Sequence, residues 1–324
     1  MANEHFHIAA VDSDAVVSKL ISFVLPAYNE VESLPYLLDE ILGVVDDHSW
    51  NVEILIVDDG STDGTDAAIR SVSERDSRVR AIRLRGNRGK SPAIQVGLES
   101  IEGDVVVLMD ADGQDDPSEL PKLFAAMDLG ADLVTGQRAV RHDRLVKRST
   151  SRVYNWATHR LTGIEGRDFN SGFKVMRAEV AGTLELYGEL HRYIPVLAAW
   201  NGFTVTEVPV NHRSRIGGHS KFGRTRFWRG YLDLVTVKFL TTYTNRPLHL
   251  FGSIGSIFGL AGFAILFYLF IEKLGGHAIG TRPALTAGVL MVIVGVQLVS
   301  LGLVAELIVN LANRRRPSRG IPPW

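Results

Sequence analysis

Two carboxylates separated by one residue follow an apolar run in the first half of the chain. The segment VVVLMDADGQDDP places Asp110 and Asp112 directly after that run. Side chains two positions apart on an extended chain point to the same side, so these carboxylates repel each other unless a cation lies between them. Hard divalent cations prefer oxygen ligands, and Gln114 offers one more. The pattern predicts a site for Mg²⁺ or Mn²⁺ that would bridge to a diphosphate; the alternative is a surface turn, which Asp and Gly favour.

Similar polar clusters end two earlier apolar runs. SFVLPAYNE places Tyr28 and Glu30 after the first run, and IVDDGSTDGT places Asp58 and Asp59 after the second. A tyrosine ring can cover a nucleobase, and carboxylates accept hydrogen bonds from base N–H groups or ribose hydroxyls. These side chains are therefore candidates for binding a nucleoside.

A glycine-rich, basic turn follows the third run. RGNRGKSPAIQVGLES, residues 85–100, opens a predicted helix at Pro92 and carries Lys90, a further candidate for substrate binding. The segment lacks the glycine fingerprint of a dinucleotide site and the Lys-Ser/Thr ending of a phosphate loop. A dinucleotide-dependent enzyme is therefore disfavoured.

Short apolar runs alternate with amphipathic stretches in this part of the chain. This alternation predicts a mostly parallel sheet with helices on both faces, and such sheets bind ligands at the carboxyl ends of their strands. The polar clusters stand at those ends. The predicted strands are residues 21–25, 52–57, 79–84 and 105–109, and the predicted helices are residues 31–45, 64–76 and 91–101.

Two uncharged apolar segments, residues 248–271 and 284–305, lie near the C-terminus. Each exceeds the roughly 20 residues that a helix needs to cross a bilayer core. We expect two transmembrane helices, with buried core helices as the alternative. Glu306, at the end of the second segment, is expected to reach the membrane interface, although pairing within a homo-oligomer is the other option.

The flanks of the two segments are basic. Residues 222–246 mix aromatic and aliphatic residues with Arg and Lys, which is typical of helices lying on a membrane surface among lipid phosphates. The tail adds Arg314, Arg315 and Arg316. The positive-inside rule then places the catalytic domain and both termini in the cytoplasm.

The overall composition excludes several classes of function. The 324 residues carry a net charge of −1, which gives no reason to expect nucleic-acid binding, and there is no cysteine for disulfide or thiolate chemistry. The predicted regions are a loosely ordered N-terminus (1–19), a catalytic domain (20–212), membrane-interface helices (213–246), two transmembrane helices (247–312) and a basic tail (313–324).

The four polar motifs, in this order and spacing, resemble the family 2 glycosyltransferases, which have a GT-A fold. The second half is similar to the polyprenyl-phosphate branch, which includes dolichyl-phosphate mannose synthase and bacterial relatives with two C-terminal membrane helices. The resemblance covers about residues 20–312. Two small departures, Ser91-Pro92 and Gly113, remove no proposed ligand. The motifs that carry the second half are TGQR (135–138), DFNSGFKVMR (168–177), HRYIP (191–195) and HRSRIGGHSKFG (212–223).

The resemblance implies a role for each matching residue. The metal would be held by Asp110, Asp112 and Gln114. The acceptor phosphate would be received by Arg138 and Arg148, because planar guanidinium groups bind phosphate well. The remaining substrate contacts implied are Pro26, Tyr28, Glu30, Asp58 and Asp59 around the nucleoside, Asp168 and Gly172 around the sugar, and Arg215, Ser220 and Lys221 over the donor diphosphate.

The implied reaction is metal-dependent, inverting transfer of a hexosyl or pentosyl group from a UDP- or GDP-linked sugar. The acceptor would be undecaprenyl or dolichyl phosphate at the cytoplasmic membrane face, and the product would serve glycan or cell-envelope modification. A polyprenyl phosphate is already anionic, so its oxygen can attack without a general base. The alternatives are a processive polysaccharide synthase, which would need more membrane helices and a Gln-x-x-Arg-Trp motif, and a non-catalytic membrane scaffold on the same fold.

Overall fold

The structure is a computed structural model that describes residues 19–138, 171–213, 246–280 and 282–315, with side chains up to residue 311. The chain divides into two compact units, Met1–Leu234 and Val235–Trp324. The N-terminal region to residue 18, the predicted interface helices from residue 214 to 245, and the tail beyond Arg315 lie outside the described residues.

The first unit is built on a seven-stranded mixed sheet with the order β3-β2-β1-β4-β6-β5-β7. Only β6, within this sheet, runs antiparallel to its neighbours β4 and β5. The sheet is therefore mostly parallel, as the sequence predicts. The strands are β1 (Ile21–Ala27), β2 (Val52–Asp58), β3 (Val79–Arg83), β4 (Val105–Leu108), β5 (Leu133–Arg138), β6 (Lys174–Arg177) and β7 (Val205–Val210).

Helices cover both faces of the sheet. Ile54 and Ile56 of β2 join the main apolar core beneath the first and fourth helices, whereas Leu55 and Val57 pack with Ala93 of the third helix. Burial on both faces explains why β2 is a continuous apolar run rather than an alternating one. The helices of this unit are α1 (Leu34–Asp47), α2 (Thr65–Ser73), α3 (Lys90–Leu98), α4 (Leu120–Asp128), α5 (Ala178–Thr183) and α6 (Ile194–Trp200), with 3₁₀ turns at Pro117–Glu119 and Leu190–Tyr193.

The strand directions bring one end of every strand to a common edge. The parallel strands β1, β2, β4, β5 and β7 all finish at this edge, and the antiparallel β6 begins there. The polar residues that follow the parallel strands and those that precede β6 are thus gathered at one side of the sheet. This edge is the place where open α/β sheets bind ligands.

The second unit is a hairpin of two long apolar helices, α7 (Pro247–Leu274) and α8 (Pro283–Arg315). Both are long and apolar enough to cross a membrane by length and composition. Small residues line their contact: a Cβ at Gly262 would lie 2.7 Å from the Gly288 carbonyl oxygen, and a Cβ at Gly295 would lie 2.7 Å from the Gly255 carbonyl oxygen. The helix backbones are therefore in direct contact along this seam, as in small-residue packing of membrane helices.

Polar contacts close both ends of the hairpin. The Leu248 backbone N–H, in the first turn of α7, donates to the Glu306 carboxylate at 3.2 Å. At the other end the Arg282 guanidinium lies 3.1 Å from the Glu272 carboxylate. Glu306 therefore satisfies one of the N–H groups that a helix start leaves without an internal partner, instead of only reaching toward the interface.

Candidate functional site

The loop that follows β1 is fixed to the loop that follows β2. Asn29 has a positive φ of 57°, its side-chain oxygen accepts from the Thr62 N–H at 2.9 Å, and its own N–H donates to the Ser61 hydroxyl at 2.9 Å. Asp63 accepts from the N–H groups of Thr65 and Val31. The two loops thus form one rigid wall at the carboxyl edge of the sheet.

A cleft of about 630 Å³ lies beside this wall. It contains the predicted nucleoside residue Tyr28. One of its arginines, Arg83, is held by Asp66 at 2.5 Å and lies 3.4 Å from the predicted ligand Asp58. The volume is in the range of small-molecule sites. The lining residues are Tyr28, Gly60, Thr62, Arg83, Leu84, Arg85, Gly86 and Asn87.

The paired carboxylates after β2 are nearly inaccessible and bind backbone. Asp58 accepts from the Ser61 N–H at 2.8 Å. Asp59 accepts from the N–H groups of Arg88 and Gly89 at 2.7 and 2.8 Å. Asp59 therefore holds the glycine-rich turn that leads into α3, and this turn carries the next residue, Lys90.

Lys90, at the start of α3, forms an ion pair with Asp110 at the end of β4. Burial disfavours the ionised carboxylate, but the Lys90 ammonium outweighs this effect and the pKa of Asp110 falls to about 2. The charge of Arg138, which ends β5, acts in the same direction and therefore lies near the same carboxylate. The site thus keeps Asp110 ionised and surrounds it with positive charge.

Gly172 lies directly against Asp110. A Cβ built on Gly172 would lie 2.5 Å from the Asp110 Cγ and 2.6 Å from each carboxylate oxygen. No residue with a side chain fits there while Asp110 keeps its position. The predicted sugar-pocket residue Gly172 and the predicted metal ligand Asp110 are therefore brought together by the register of β6 on β4.

A second contact reaches this cluster from the 3₁₀ turn before α6. The Ser91 hydroxyl accepts from the His191 N–H at 3.0 Å and lies 2.8 Å from the ring nitrogen Nδ1 of the same residue. Burial lowers the pKa of His191 well below its usual value, and the charges of Lys90 and Arg192 lower it further. His191 therefore stays neutral at pH 7, beside the lysine that pairs with Asp110.

The other proposed metal ligands lie on the turn that leaves β4. The Gln114 N–H donates to the Asp112 carboxylate at 3.2 Å. The Gln114 side-chain nitrogen donates to the Arg213 carbonyl at 3.3 Å. The amide oxygen of the same side chain takes no part in this bond. The Ser33 hydroxyl lies 2.9 Å from the Ala111 carbonyl and 2.8 Å from the Glu30 carboxylate, so the start of α1 braces this motif.

Comparison with known proteins identifies the family. The model of glycosyl transferase family 2 matches residues 22–184, and the model of the GtrB C-terminal hairpin matches residues 246–311.

The chain is a family 2 glycosyltransferase.

Two relatives align with nearly the whole transferase. It is 34% identical over 308 residues to dodecaprenyl-phosphate galacturonate synthase of Rhizobium johnstonii, covering 93% of this chain and 91% of the relative. It is 36% identical over 308 residues to undecaprenyl-phosphate 4-deoxy-4-formamido-L-arabinose transferase of Edwardsiella ictaluri, covering 94% of each chain.

Solved structures confirm the fold of the transferase. Glucosyl-3-phosphoglycerate synthase of Mycobacterium tuberculosis, solved with Mn²⁺ and UDP-glucose, superposes with a TM-score of 0.54 at 21% identity, covering 72% of this chain and 84% of that one. Mannosyl-3-phosphoglycerate synthase of Rubrobacter xylanophilus gives a TM-score of 0.54 at 18% identity, covering 69% and 75%. Together with the hairpin match, the two apolar helices indicate membrane association.

The geometry gathers most of the residues singled out from the sequence. Pro26 lies near the end of β1, opposite Val57 of β2, and the residues that end or follow β1, β2, β4 and β5 share one edge with Gly172. Five predicted site residues lie outside the described residues: Arg148, Asp168, Arg215, Ser220 and Lys221.

Sequence reasoning assigned no role to Ser91, His191 or Arg213. The HRYIP and HRSR segments had drawn attention as motifs, but neither spacing nor composition shows that His191 meets Ser91, 100 positions earlier. This contact forms only when the chain folds, and no local sequence pattern predicts it.

Proposed function

We propose that this protein transfers a sugar from a nucleoside diphosphate sugar to a polyprenyl phosphate at the cytoplasmic face of the membrane. The observation that carries the proposal is the similarity over more than nine-tenths of the chain to two transferases named for polyprenyl-phosphate products. Both relatives match the transferase domain and the apolar hairpin together. A hairpin in the membrane would keep the transferase domain close to a lipid acceptor.

The nucleoside is proposed to occupy the cleft beside Tyr28. Its volume of about 630 Å³ suits a nucleoside, and Tyr28, whose type of ring can cover a base, lines it. Asp58 and Asp59 then act mainly by fixing the walls of this cleft, because their carboxylates accept from backbone N–H groups of the adjacent loops. Glu30 lies at the start of α1, where it contacts Ser33.

The donor set at the end of β4 fits Mg²⁺ or Mn²⁺. Asp110, Asp112 and the amide oxygen of Gln114 are all oxygen ligands on one turn, and such cations are often held by one or two carboxylates and completed by substrate phosphates. No three His, Cys, Asp or Glu side chains form a metal cluster within the described ranges, so the cation would need Gln114 and the substrate phosphates as further ligands. A divalent cation there would neutralise charge on the departing diphosphate.

The acceptor phosphate is proposed to bind near Arg138, with Arg148 as a second ligand. Two observations support this: Arg138 ends β5 at the edge of the sheet that carries Asp110, and its charge lowers the pKa of that carboxyl. A phosphate monoester oxygen is already anionic at neutral pH, and the site needs to align two anions more than to remove a proton. Attack from the face opposite the leaving group inverts the anomeric centre.

The test is transfer of label from a panel of radiolabelled UDP- and GDP-sugars to undecaprenyl phosphate in membranes, with Mg²⁺ or Mn²⁺ present. Asp112→Asn should reduce transfer by at least about 100-fold while the protein keeps its melting temperature, because the oxygen ligand is replaced without a change of volume. Asp39→Asn, on the exposed side of α1, is the matched control and should transfer normally. Unchanged transfer and metal dependence in Asp112→Asn would overturn the metal assignment.

A further inference from the structure

A short segment after β7 runs alongside the turn that follows the proposed metal ligands. The Arg213 N–H donates to the Gln114 carbonyl at 2.8 Å, and His212 and Asp115 form an isolated antiparallel bridge. The Asn211 side chain donates to the Glu119 carboxylate at 2.7 Å, one turn further on. The two segments are about 100 positions apart in sequence, yet they are joined by backbone and side-chain bonds.

The Arg213 side chain adds a clamp between two carboxylates. One guanidinium nitrogen lies 2.7 Å from Asp116, and another lies 2.7 Å from Glu40 of α1. Asp116 is buried, and it also accepts from the Ser118 N–H at 3.0 Å. The arginine thus bridges this carboxylate to α1.

We propose that Arg213 is a positioning residue that sets the affinity of the metal site by fixing Gln114 and the turn behind it. This inference rests on the proposed metal-dependent transfer. The Arg213 backbone N–H donates to the Gln114 carbonyl, and the Arg213 carbonyl accepts from the Gln114 side-chain nitrogen. The Arg213 guanidinium pairs with Asp116. It therefore determines where the amide oxygen of Gln114 lies relative to Asp112.

The physical reason is that residue 213 is bonded to this turn at three points, two through its backbone and one through its side chain. Gly113 has a φ of 69°, a conformation that suits glycine and gives the turn little stiffness of its own. Without the guanidinium, Asp116 would lose its cationic partner, and the bonds between Gln114 and residue 213 would loosen with it. Groups that orient metal ligands typically change metal affinity by 10- to 100-fold when they are removed.

The chain offers a matched control in Arg78. This arginine also clamps a carboxylate of α1, Asp46, at 2.6 Å, and a loop carboxylate, Asp76, at 2.7 Å. It precedes β3, at the opposite edge of the sheet from the metal ligands. Arg78→Ala and Arg213→Ala therefore remove similar ion pairs, and only the second removal lies beside Gln114.

The experiment measures the binding of UDP to the full-length protein in detergent, with and without MnCl₂, and GDP in a parallel titration. In Arg213→Ala, the Mn²⁺ concentration that gives half of the metal-dependent increase in affinity should rise by about 10-fold or more. Nucleotide binding without metal should stay within about two-fold of wild type, because the cleft beside Tyr28 is untouched. Arg78→Ala should lower the melting temperature without moving the Mn²⁺ requirement, and Glu40→Gln should give a smaller shift than Arg213→Ala.

An Mn²⁺ requirement within two-fold of wild type in a folded Arg213→Ala protein would overturn the inference. The same holds if Arg78→Ala shifts the requirement equally, because the effect would then be one of general stability. Glu40→Gln, which keeps Arg213 and Asp116 in place, provides a second readout if Arg213→Ala fails to fold: no shift in this variant would also count against the clamp. A wild-type protein that binds nucleotide equally well without metal would instead overturn the metal part of the proposed function, and this inference with it.

Discussion

Asp110 is held in place by residues from three separate parts of the chain. Lys90 approaches from the start of α3, Gly172 lies beneath the carboxylate at the start of β6, and Arg138 acts from the end of β5. Lys90 keeps the carboxylate ionised, Gly172 leaves room only for its present position, and Arg138 adds further positive charge. A carboxylate restrained in this way presents its oxygens to an arriving cation with little further reorganisation.

The contact with Gly172 gives a test at this scale. Gly172→Ala should lower transfer by about 100-fold, because the added methyl group would displace the Asp110 carboxylate and misplace the reacting groups. The melting temperature should change little, since only a short side chain has to move. Gly182→Ala is the control: a Cβ at Gly182, inside α5, meets nothing within 4 Å. Normal transfer by Gly172→Ala would show that Asp110 does not need its present position.

The sequence predicts single site residues where they directly follow a predicted strand. Asp110, Asp112 and Tyr28 follow predicted strands, and the rule that parallel strands finish at one edge placed them together, whereas Arg138 was indicated by the family resemblance. The bonds of Asp59 to the glycine-rich turn and of His191 to Ser91 were not predictable. They depend on how loops meet after folding, and a carboxylate that binds a ligand has the same sequence pattern as one that binds a backbone N–H.

At the scale of elements, the first four strands and the first three helices agree with the sequence to within a few residues. The sequence did not predict the strands β6 and β7. Lys174–Arg177 is only four residues long, and its first residue is a buried lysine that breaks any simple apolar pattern. Its antiparallel insertion between β4 and β5 is decided by tertiary packing rather than by the local sequence. This insertion places Gly172 at the carboxyl edge of the sheet.

The membrane hairpin depends on the glycine seam between its helices. Gly295→Ala should destabilise the hairpin by about 1–3 kcal/mol, because a Cβ there would lie 2.7 Å from the Gly255 carbonyl oxygen and 2.7 Å from the Gly259 backbone nitrogen. Gly259→Ala is the control, since a Cβ at that position meets nothing within 4 Å. The measurement is thermal unfolding of both variants in the same detergent. Equal melting temperatures would mean that the helices do not pack through this seam.

At the scale of the whole molecule, the chain joins a transferase unit to an apolar hairpin. The residues proposed for the nucleotide and the metal all precede the hairpin, which begins at Pro247, whereas the proposed acceptor is a lipid. Composition made this division predictable, because residues 248–271 and 284–305 are uncharged and apolar, and the structure forms a long apolar helix over each of them.

The division predicts that the two units can be separated in function. Removal of residues 247–324 should leave UDP or GDP binding in the presence of Mn²⁺ within about two-fold of the intact protein. Turnover of undecaprenyl phosphate in bilayers should fall by about 100-fold, because the enzyme loses its effective concentration at the membrane. Turnover equal to that of the intact protein would show that the hairpin does not serve acceptor delivery.

The identity of the acceptor is the central claim, and one competition assay tests it directly. The intact protein is given its best labelled nucleotide-sugar together with undecaprenyl phosphate in bilayers and 3-phosphoglycerate in solution, and a parallel reaction replaces the lipid phosphate with undecaprenol. The label is predicted to appear in the undecaprenyl phosphate fraction, with none on undecaprenol, because the alcohol lacks the anionic oxygen that attacks without a general base. Label on 3-phosphoglycerate in preference to the lipid, or equal labelling of undecaprenol, would contradict the account.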